Sequence, residues 1–459
     1  MLNLFLTAFV FAFLGAGLRR PFLLVLAYAY IDIVAPQKVT WGFLQSVPVS
    51  LITFGCMILA WLAAENKDGI RVSPRQFVLF LLLVYCGLTT RTADFPEEAL
   101  EKWAWVWKAL VFAIFMPLTL RTRLRIEAMT LVMVLSVGVI VIGGGIKTLA
   151  SGGGYGELKL LVNDNTGLYE GSIISAVAIS VVPLALWLAR HGTIFRPNWM
   201  VWLFALGICF SCLLMPIGTQ ARTGLICVAV LGVLMLRTAK RRLLYISLIA
   251  IAGVIAVPLL PASFTERMST IRNHRSDQSA GTRIAVWQWT MEYAQSNPFG
   301  GGFNSYLQNS VSYDKVIADD AGDNNTALKT ERIEEKARAF HSSYFEMLGE
   351  QGYPGLALWL LLHIMGVVQM EMLRRRYAKD PPPGFAWVTP LADALQQAQI
   401  VYLVGGAFVG IAFQPFCYML VGLQCGLSAY IGRVQRSASA PFRRPRNTGR
   451  ALAASLPTP

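Results

Sequence analysis

Residues 199–217 read WMVWLFALGICFSCLLMPI and contain no charged side chain. A helix of this length covers the hydrocarbon core of a bilayer, which is roughly 30 Å thick. Backbone N–H and C=O groups inside lipid must be paired within the segment, and a helix achieves this without a neighbour. A β-barrel is excluded, because its strands alternate apolar and polar side chains over about ten residues. The stretch therefore predicts a transmembrane helix.

Apolar blocks of this kind recur along the whole chain. Of the 459 residues, 55% are hydrophobic and 14% are charged, whereas soluble domains carry about 25% charged residues. The mean hydropathy is +0.51. The pattern predicts an all-α polytopic membrane protein with twelve or thirteen transmembrane helices, since the first two blocks are short enough to form a hairpin. The predicted spans are residues 2–18, 21–35, 44–64, 76–90, 104–120, 126–148, 169–190, 199–217, 223–237, 243–260, 348–371, 397–413 and 416–432.

The basic residues lie mainly in short loops, and this predicts the orientation of the chain. The formal net charge is +14. Cytoplasmic loops of membrane proteins are enriched in Lys and Arg, and the basic loops here alternate with poorly basic ones. A nucleic-acid-binding surface would instead gather these residues on one folded face. The alternation places four segments outside the cytoplasm: residues 92–101, 151–168, 218–222 and 261–340.

The first block is expected to stay as a helix, because its charges, Arg19 and Arg20, follow it. The seven cysteines lie in or beside apolar blocks and are expected to pack as small apolar residues, with no disulfide or metal site. The predicted organisation of the chain has four parts. They are N-terminal transmembrane helices (about ten) in 1–260, a large periplasmic segment with short helices in 261–347, C-terminal transmembrane helices in 348–432, and a disordered basic cytoplasmic tail in 433–459.

His341 is the main candidate for proton transfer. It comes just before an apolar block, at the predicted outer mouth of a membrane helix. Histidine exchanges protons near neutral pH. A lone interfacial histidine is more often structural, and His191 and His363 are expected to be so. The residues predicted on the same side favour a functional His341.

Two arginines complete this candidate site. Arg222 ends a tight outer turn before an apolar block, and Arg283 starts a predicted helix over 281–294 with Trp287 on its aromatic face. A membrane-embedded cation is a functional candidate, and guanidinium matches phosphate oxygens. The alternatives are a snorkelling anchor for Arg222 and an amphipathic helix packed on the bundle for the tryptophans. Two arginines and one histidine at an outer face suit a lipid-linked diphosphate.

Three further polar residues are predicted near the outer face. Lys108 lies a short way into a membrane block and would add to an anion site. Asp164 and Asn165 follow the Gly-rich residues 152–156, which lack the ending of a P-loop. Asp164 would order a turn or hydrogen-bond a sugar hydroxyl, and the turn is favoured.

Several motifs resemble conserved blocks of the O-antigen ligase superfamily. They are Arg222-Thr-Gly224, Gly281-Thr-Arg283, NPFGGG at 297–302 and HSSYFEMLGEQG at 341–352. N-terminal motifs, among them RRPF at 19–22 and TWGF at 40–43, resemble the O-glycosylation ligases associated with exosortase A systems. The resemblance covers about residues 1–370.

The resemblance implies a metal-independent, cofactor-free glycosyltransferase of the GT-C type in the bacterial inner membrane. Such enzymes transfer a glycan from undecaprenyl diphosphate to a lipid, glycan or protein acceptor on the periplasmic side. On this pattern Arg222 and Arg283 bind the diphosphate, and His341 acts as general base or orients the acceptor hydroxyl. The expected substrate-binding residues are Lys108, Asp164, Asn165, Trp287, Tyr344 and Glu350.

The chain departs from the family pattern at two places, and other functions stay open. Ala221 stands where the family often has Ser, and Asn163-Asp-Asn-Thr166 where it often has Gly-Asp-Asn-Asn. A polysaccharide polymerase would differ mainly in its acceptor. A lipid-linked glycan transporter predicts ionisable residues near the bilayer midplane and internal repeats, whereas the candidates here cluster at one face. A scaffold role leaves the three cations unexplained.

Overall fold

The computed structural model describes residues 2–39, 46–155, 168–244, 246–247, 251, 254, 278–320 and 326–439. Helices dominate this part of the chain, and one antiparallel hairpin interrupts them. The helices are α1 (Leu2–Arg19), α2 (Phe22–Val34), α3 (Pro36–Val39), α4 (Val49–Ala64), α5 (Pro74–Arg91), α6 (Pro96–Thr119), α7 (Arg123–Ser151), α8 (Gly171–His191), α9 (Trp199–Gly218), α10 (Arg222–Thr238), α11 (Gln278–Ser296), α12 (Ser343–Arg376), α13 (Val388–Gly406) and α14 (Pro415–Ser439). The strands are β1 (Ser310–Asp320) and β2 (Thr326–Lys336).

The helices carry the length and surface of membrane spans. Five are long and apolar enough to cross a bilayer: Arg123–Ser151, Gly171–His191, Trp199–Gly218, Ser343–Arg376 and Pro415–Ser437. Helix α9 exposes large apolar side chains along its length, with Leu203 62% and Phe210 52% exposed. A continuous apolar surface of this kind is unfavourable in water and suits contact with lipid. The all-α polytopic membrane fold is confirmed.

Each predicted span except residues 243–260 coincides with a helix, and that span lies mostly outside the described residues. The largest displacement is at α13, predicted over 397–413 but running from Val388 to Gly406. The middle of this helix carries buried amides, which lower the hydropathy of the sequence there. The bundle satisfies them: Gln396 donates to the Val367 carbonyl at 2.9 Å and Gln399 to the His363 ring at 3.0 Å.

Helix ends are fixed by local capping. At the start of α5 the Ser73 hydroxyl accepts from the Gln76 N–H at 3.3 Å, while the Gln76 side chain accepts from the Ser73 N–H at 2.8 Å. This reciprocal pair satisfies two donors that a helix start leaves unpaired. Thr122 caps α7 and Asn198 caps α9, each by accepting one hydrogen bond from a backbone N–H. These polar residues therefore end the short loops predicted as cytoplasmic.

The segment after α10 differs in part from the prediction. Helix α11 confirms the predicted helix over 281–294, but β1 and β2 form a hairpin that the sequence pattern did not indicate. Val311 at the base of this hairpin packs against Val286 and Phe340. At the chain's end, α14 continues to Ser439, so residues 433–439, expected to be tail, are helical. We call the end of the bundle that carries residues 92–95, 219–221, 278–320 and 326–342 the distal face.

Candidate active site

The loop between α5 and α6 holds the segment after α11 on the distal face. The Asp94 N–H donates to the Gly301 carbonyl at 2.8 Å. The Asn304 side chain donates to the Glu98 carbonyl at 2.9 Å. The Tyr293 hydroxyl, on α11, donates to the Asp94 carboxylate. These contacts tie the NPFGGG motif to the N-terminal half of the chain.

Three consecutive glycines interlock with a kink in α12. The Gly301 N–H donates to the Gly349 carbonyl at 3.0 Å, and the Gly302 N–H donates to the Glu350 carbonyl at 2.9 Å. Gly302 has φ 77°, and Gly352, at the kink, has φ 62°. Positive φ and close backbone approach are the two conditions that favour glycine. The two motifs, distant in sequence, therefore form one unit.

Trp287 fixes the segment that carries His341. Its indole N–H donates to the Phe340 carbonyl at 2.9 Å, and its ring stacks on Phe345 with centroids 4.9 Å apart and planes at 6°. His341 follows Phe340 with φ 50°, a left-handed conformation that costs energy for a side chain other than glycine. Because α12 begins two residues later, the imidazole lies beside the start of that helix.

Arg283 lies one helical turn before Trp287 on α11, and residues four apart share a helix face. It is close enough to act electrostatically on His341. The pKa of His341 is lowered from its ordinary value, first by desolvation and then by the positive charges of Arg283 and Arg338. His341 is therefore neutral at pH 7 and can accept a proton. The structure brings Arg283, Trp287 and His341 together.

Arg338 is a neighbour of His341 that the sequence did not single out. Its guanidinium holds the Glu335 carboxylate in a two-pronged pair, with Nε to Oε2 at 2.5 Å and Nη2 to Oε1 at 2.7 Å. The Asn309 side chain also accepts from the Arg338 N–H at 2.9 Å. The signal that could have identified Arg338 from the sequence was its position shortly before His341.

Arg222 is the first residue of α10, on the other side of the distal end of α13. Cys227 lies about 7.5 Å further along α10. A Cβ on Gly405 would lie 3.1 Å from Cys227 Sγ, and a Cβ on Gly406 would lie 3.0 Å from Ser343 Oγ. The end of α13 therefore packs between the helix of Arg222 and the start of α12. Arg222 and His341 both lie on the distal face. Their convergence on one cavity stays a prediction.

A buried ion cluster lies within the first turns of α12. Lys102 Nζ is 2.7 Å from Glu346 Oε1 and 2.8 and 2.9 Å from the two oxygens of Glu350. Glu350 also accepts from the Asn304 N–H at 3.0 Å, and Glu346 from the Ala412 N–H at 3.0 Å. This cluster fixes the helix that starts beside His341, and the sequence prediction contained only one of its three members as a site residue.

The predicted substrate-binding residues have different surroundings. The Tyr344 hydroxyl donates to the Leu403 carbonyl at 3.2 Å, so its polar atom, like those of Trp287 and Glu350, bonds within the protein. Lys108 Nζ lies 3.4 Å from Ser50 Oγ. Since residues six apart on a helix are rotated by about 240°, it faces away from the Lys102 cluster. Substrate binding by these four residues stays a prediction.

Asp164 and Asn165 lie outside the described residues, so their predicted roles are untested. His363 is buried and hydrogen-bonded to Gln399, in keeping with the structural role expected for it. Among the residues that the structure describes, no group of three or more His, Cys, Asp or Glu side chains is placed to hold a metal ion. Arginine side chains on the distal face carry positive charge that attracts anions.

The fold defines a multi-pass α-helical membrane protein whose distal face carries arginines and a histidine. Residues 207–360 match a family model described as O-Antigen ligase. This match contains Arg222, Arg283 and His341, and it supports the O-antigen ligase superfamily, with a ligase- or polymerase-type membrane function that transfers glycosyl groups. Residues 1–193 match a family of unknown function, DUF5935. No curated protein matches the chain.

Proposed function

We propose that this protein transfers a glycan from undecaprenyl diphosphate to an acceptor on the distal face. In this proposal the protein spans the bacterial inner membrane, and the distal face lies in the periplasm. The O-antigen ligase match supports a lipid-linked glycan donor. The alternating basic loops of the sequence support the orientation.

The observation that carries the proposal is the placement of Arg283 and His341. Trp287, on α11, donates its indole N–H to the Phe340 carbonyl. Arg283 lies one turn before Trp287 on α11, and its positive charge acts on the His341 ring. A neutral imidazole beside a guanidinium offers a proton acceptor and an anion site next to each other. This pair of functions is what transfer from a diphosphate-linked sugar needs.

In the proposed reaction the acceptor hydroxyl attacks the anomeric carbon of the donor glycan. His341 takes the hydroxyl proton as the new C–O bond forms. The bond between the anomeric carbon and the diphosphate oxygen breaks, and undecaprenyl diphosphate leaves with the bonding electron pair. Arg283 and Arg222 would stabilise the negative charge that develops on the leaving group. No oxidant or reductant is consumed.

The acceptor decides between a ligase and a polymerase. A ligase passes the glycan to a different molecule, and a polymerase passes it to another glycan of the same kind. Both need the same donor site, so the arrangement of Arg283 and His341 serves either. We propose the ligase reading, because the matching family model is described as a ligase.

The test uses purified protein reconstituted in lipid. Wild type, His341→Ala and Arg283→Ala are incubated with undecaprenyl-diphosphate glycan and candidate lipid, glycan and protein acceptors, and the transferred glycan is measured. We expect each variant to lose about 100-fold or more of the transfer rate, as is usual when a general base or an anion-stabilising group is removed.

A matched control is His191→Ala, because His191 lies at the end of α8, which the loop charges assign to the cytoplasm. It should keep the wild-type rate. Transfer that survives both His341→Ala and Arg283→Ala would contradict the mechanism. A product found only on glycan acceptors identical to the donor would favour the polymerase.

A further inference from the structure

Two carboxylates lie one turn apart at the start of α12. Glu346 and Glu350 are four residues apart, which places them on one face of the helix. Glu346 is 7% exposed and Glu350 is fully buried. Two negative charges buried side by side repel each other and need a positive partner. Lys102, on α6, is the cation that bridges them.

Lys102 joins three segments that are distant in sequence. Besides both carboxylates, its ammonium group lies 5.5 Å from the Phe303 ring and 5.6 Å from the Phe413 ring, both within cation–π range. Phe303 directly follows the three glycines, and Phe413 lies in the loop between α13 and α14. The glycine turn, the start of α12 and this loop therefore share one charged centre.

This centre is close to the proposed base along the chain. The Glu346 N–H donates to the Ser342 carbonyl at 2.8 Å, and Ser342 directly follows His341. Ser343 accepts from the Ile411 N–H at 3.0 Å. A shift of the first turn of α12 would therefore move the His341 backbone, which is already held in a left-handed conformation.

The two family models divide the chain between Lys102 and its partners. Lys102 lies within residues 1–193, matched by the family of unknown function, whereas Glu346 and Glu350 lie within the O-antigen ligase match. Asp94 and Glu98, from the same N-terminal region, also hold the segment after α11. The N-terminal region thus reaches into the distal site through side chains and backbone.

We propose that Lys102 is a positioning residue for His341, and that the N-terminal region serves glycosyl transfer by supplying it. This rests on the proposed function. Lys102 bonds to the carboxylates of Glu346 and Glu350 in the first turns of α12, so its role is to hold the start of this helix in the geometry that transfer requires. Its loss should lower kcat and leave the donor KM nearly unchanged, because the diphosphate site at Arg283 is untouched.

The experiment compares Lys102→Met with a charge-balanced variant that also carries Glu346→Gln and Glu350→Gln. Lys102→Met leaves two unpaired carboxylates, and we expect kcat to fall at least about 10-fold with the donor KM within about twofold of wild type. The triple variant removes the repulsion, so its kcat is expected to regain most of that loss, whereas a role of Glu350 in substrate binding would raise the KM and leave this recovery of kcat in place. Lys102→Arg, which keeps the charge, should retain more activity than Lys102→Met. Lys147→Met, an exposed lysine near the distal end of α7, serves as the control and should match wild type.

The outcomes separate this inference from the proposed function. If His341→Ala is inactive but Lys102→Met is as active as wild type, the positioning role is wrong and the proposed function stands. If the charge-balanced variant stays as inactive as Lys102→Met while remaining folded and monodisperse, the role is not charge compensation and the inference fails. If His341→Ala is active, the proposed function fails first.

Discussion

The charges around His341 determine the pH range in which it can accept a proton. A general base must be neutral, and an imidazole is neutral above its pKa. Because desolvation and two neighbouring cations lower the pKa of His341 from its ordinary value of about 6.5, transfer should persist below that pH. It should be lost as the pH falls through the lowered pKa.

Arg338→Gln should move this acid limb to higher pH. It removes one of the two cations and releases the Glu335 carboxylate, and both changes favour the protonated imidazole. The measurement is kcat/KM between pH 5 and 8 for wild type and the variant. Arg332→Gln is the control, since Arg332 is exposed on β2 and donates to Ser312 at 2.9 Å. An acid limb that stays in place or moves to lower pH would contradict the assignment of His341.

The sequence pointed to single charged residues as candidates but did not indicate their bonding partners. Arg283 and His341 were chosen as candidates because their residue types and their predicted side of the membrane indicate a chemistry. Lys102 was missed because its bonding partners are 244 and 248 residues away. One signal was present: Glu346 and Glu350 open an apolar block at helical spacing, and buried carboxylates require a cation.

At the scale of elements, the interlock between the glycine turn and α12 makes Gly302 a sensitive position. A Cβ there would lie 2.4 Å from Ala93 Cβ, at φ 77°. Gly302→Ala should lower the thermal stability and the activity, because strain of about 1–2 kcal/mol adds to a clash of about 1–3 kcal/mol.

Gly69 is the matched control for this substitution. It has φ 70° but open space around its missing Cβ, so Gly69→Ala isolates the conformational strain from the clash. Thermal unfolding of both variants in the same detergent gives the comparison. Equal losses of stability would show that the close packing of the glycine turn contributes nothing.

The contact between α11 and the His341 segment gives a second test at this scale. Trp287→Phe keeps an aromatic ring on Phe345 but removes the donor to the Phe340 carbonyl, a loss of about 1 kcal/mol. We expect a lower kcat. Trp289→Phe, two residues along the same helix, keeps a ring against Tyr293 and should be near wild type. Equal activities of the two variants would argue against the role of this hydrogen bond.

The helices themselves were predictable where apolar length alone decides them, and were displaced where buried polar groups enter. Helix α13 begins at Val388 because its amides find partners inside the bundle. A hydropathy scale counts each side-chain amide as unfavourable in the membrane and takes no account of its hydrogen-bond partner. The β1–β2 hairpin was also missed, because pairing between strands depends on a register that the residue pattern of this segment does not specify.

At the scale of the whole molecule, the direction of the chain across the membrane decides whether the site can meet a periplasmic acceptor. Helices α5 and α6 join at the distal face through residues 92–95, and α4 and α5 join at the opposite end through residues 65–73. Loop charges assign the first to the periplasm and the second to the cytoplasm. The exposed residues Glu97 and Asp68 lie at these two ends.

Glu97→Cys and Asp68→Cys therefore report the orientation of the distal face. A membrane-impermeant thiol reagent added to intact spheroplasts should label Glu97→Cys and should reach Asp68→Cys only after lysis. Of the native cysteines, six are buried and Cys56 is half-buried, so the background should be low. Labelling of Asp68→Cys in intact spheroplasts would place Arg222, Arg283 and His341 in the cytoplasm. A cytoplasmic site could not use an acceptor on the far side of the membrane, so this one result would overturn the proposed reaction while leaving the helix bundle as it stands.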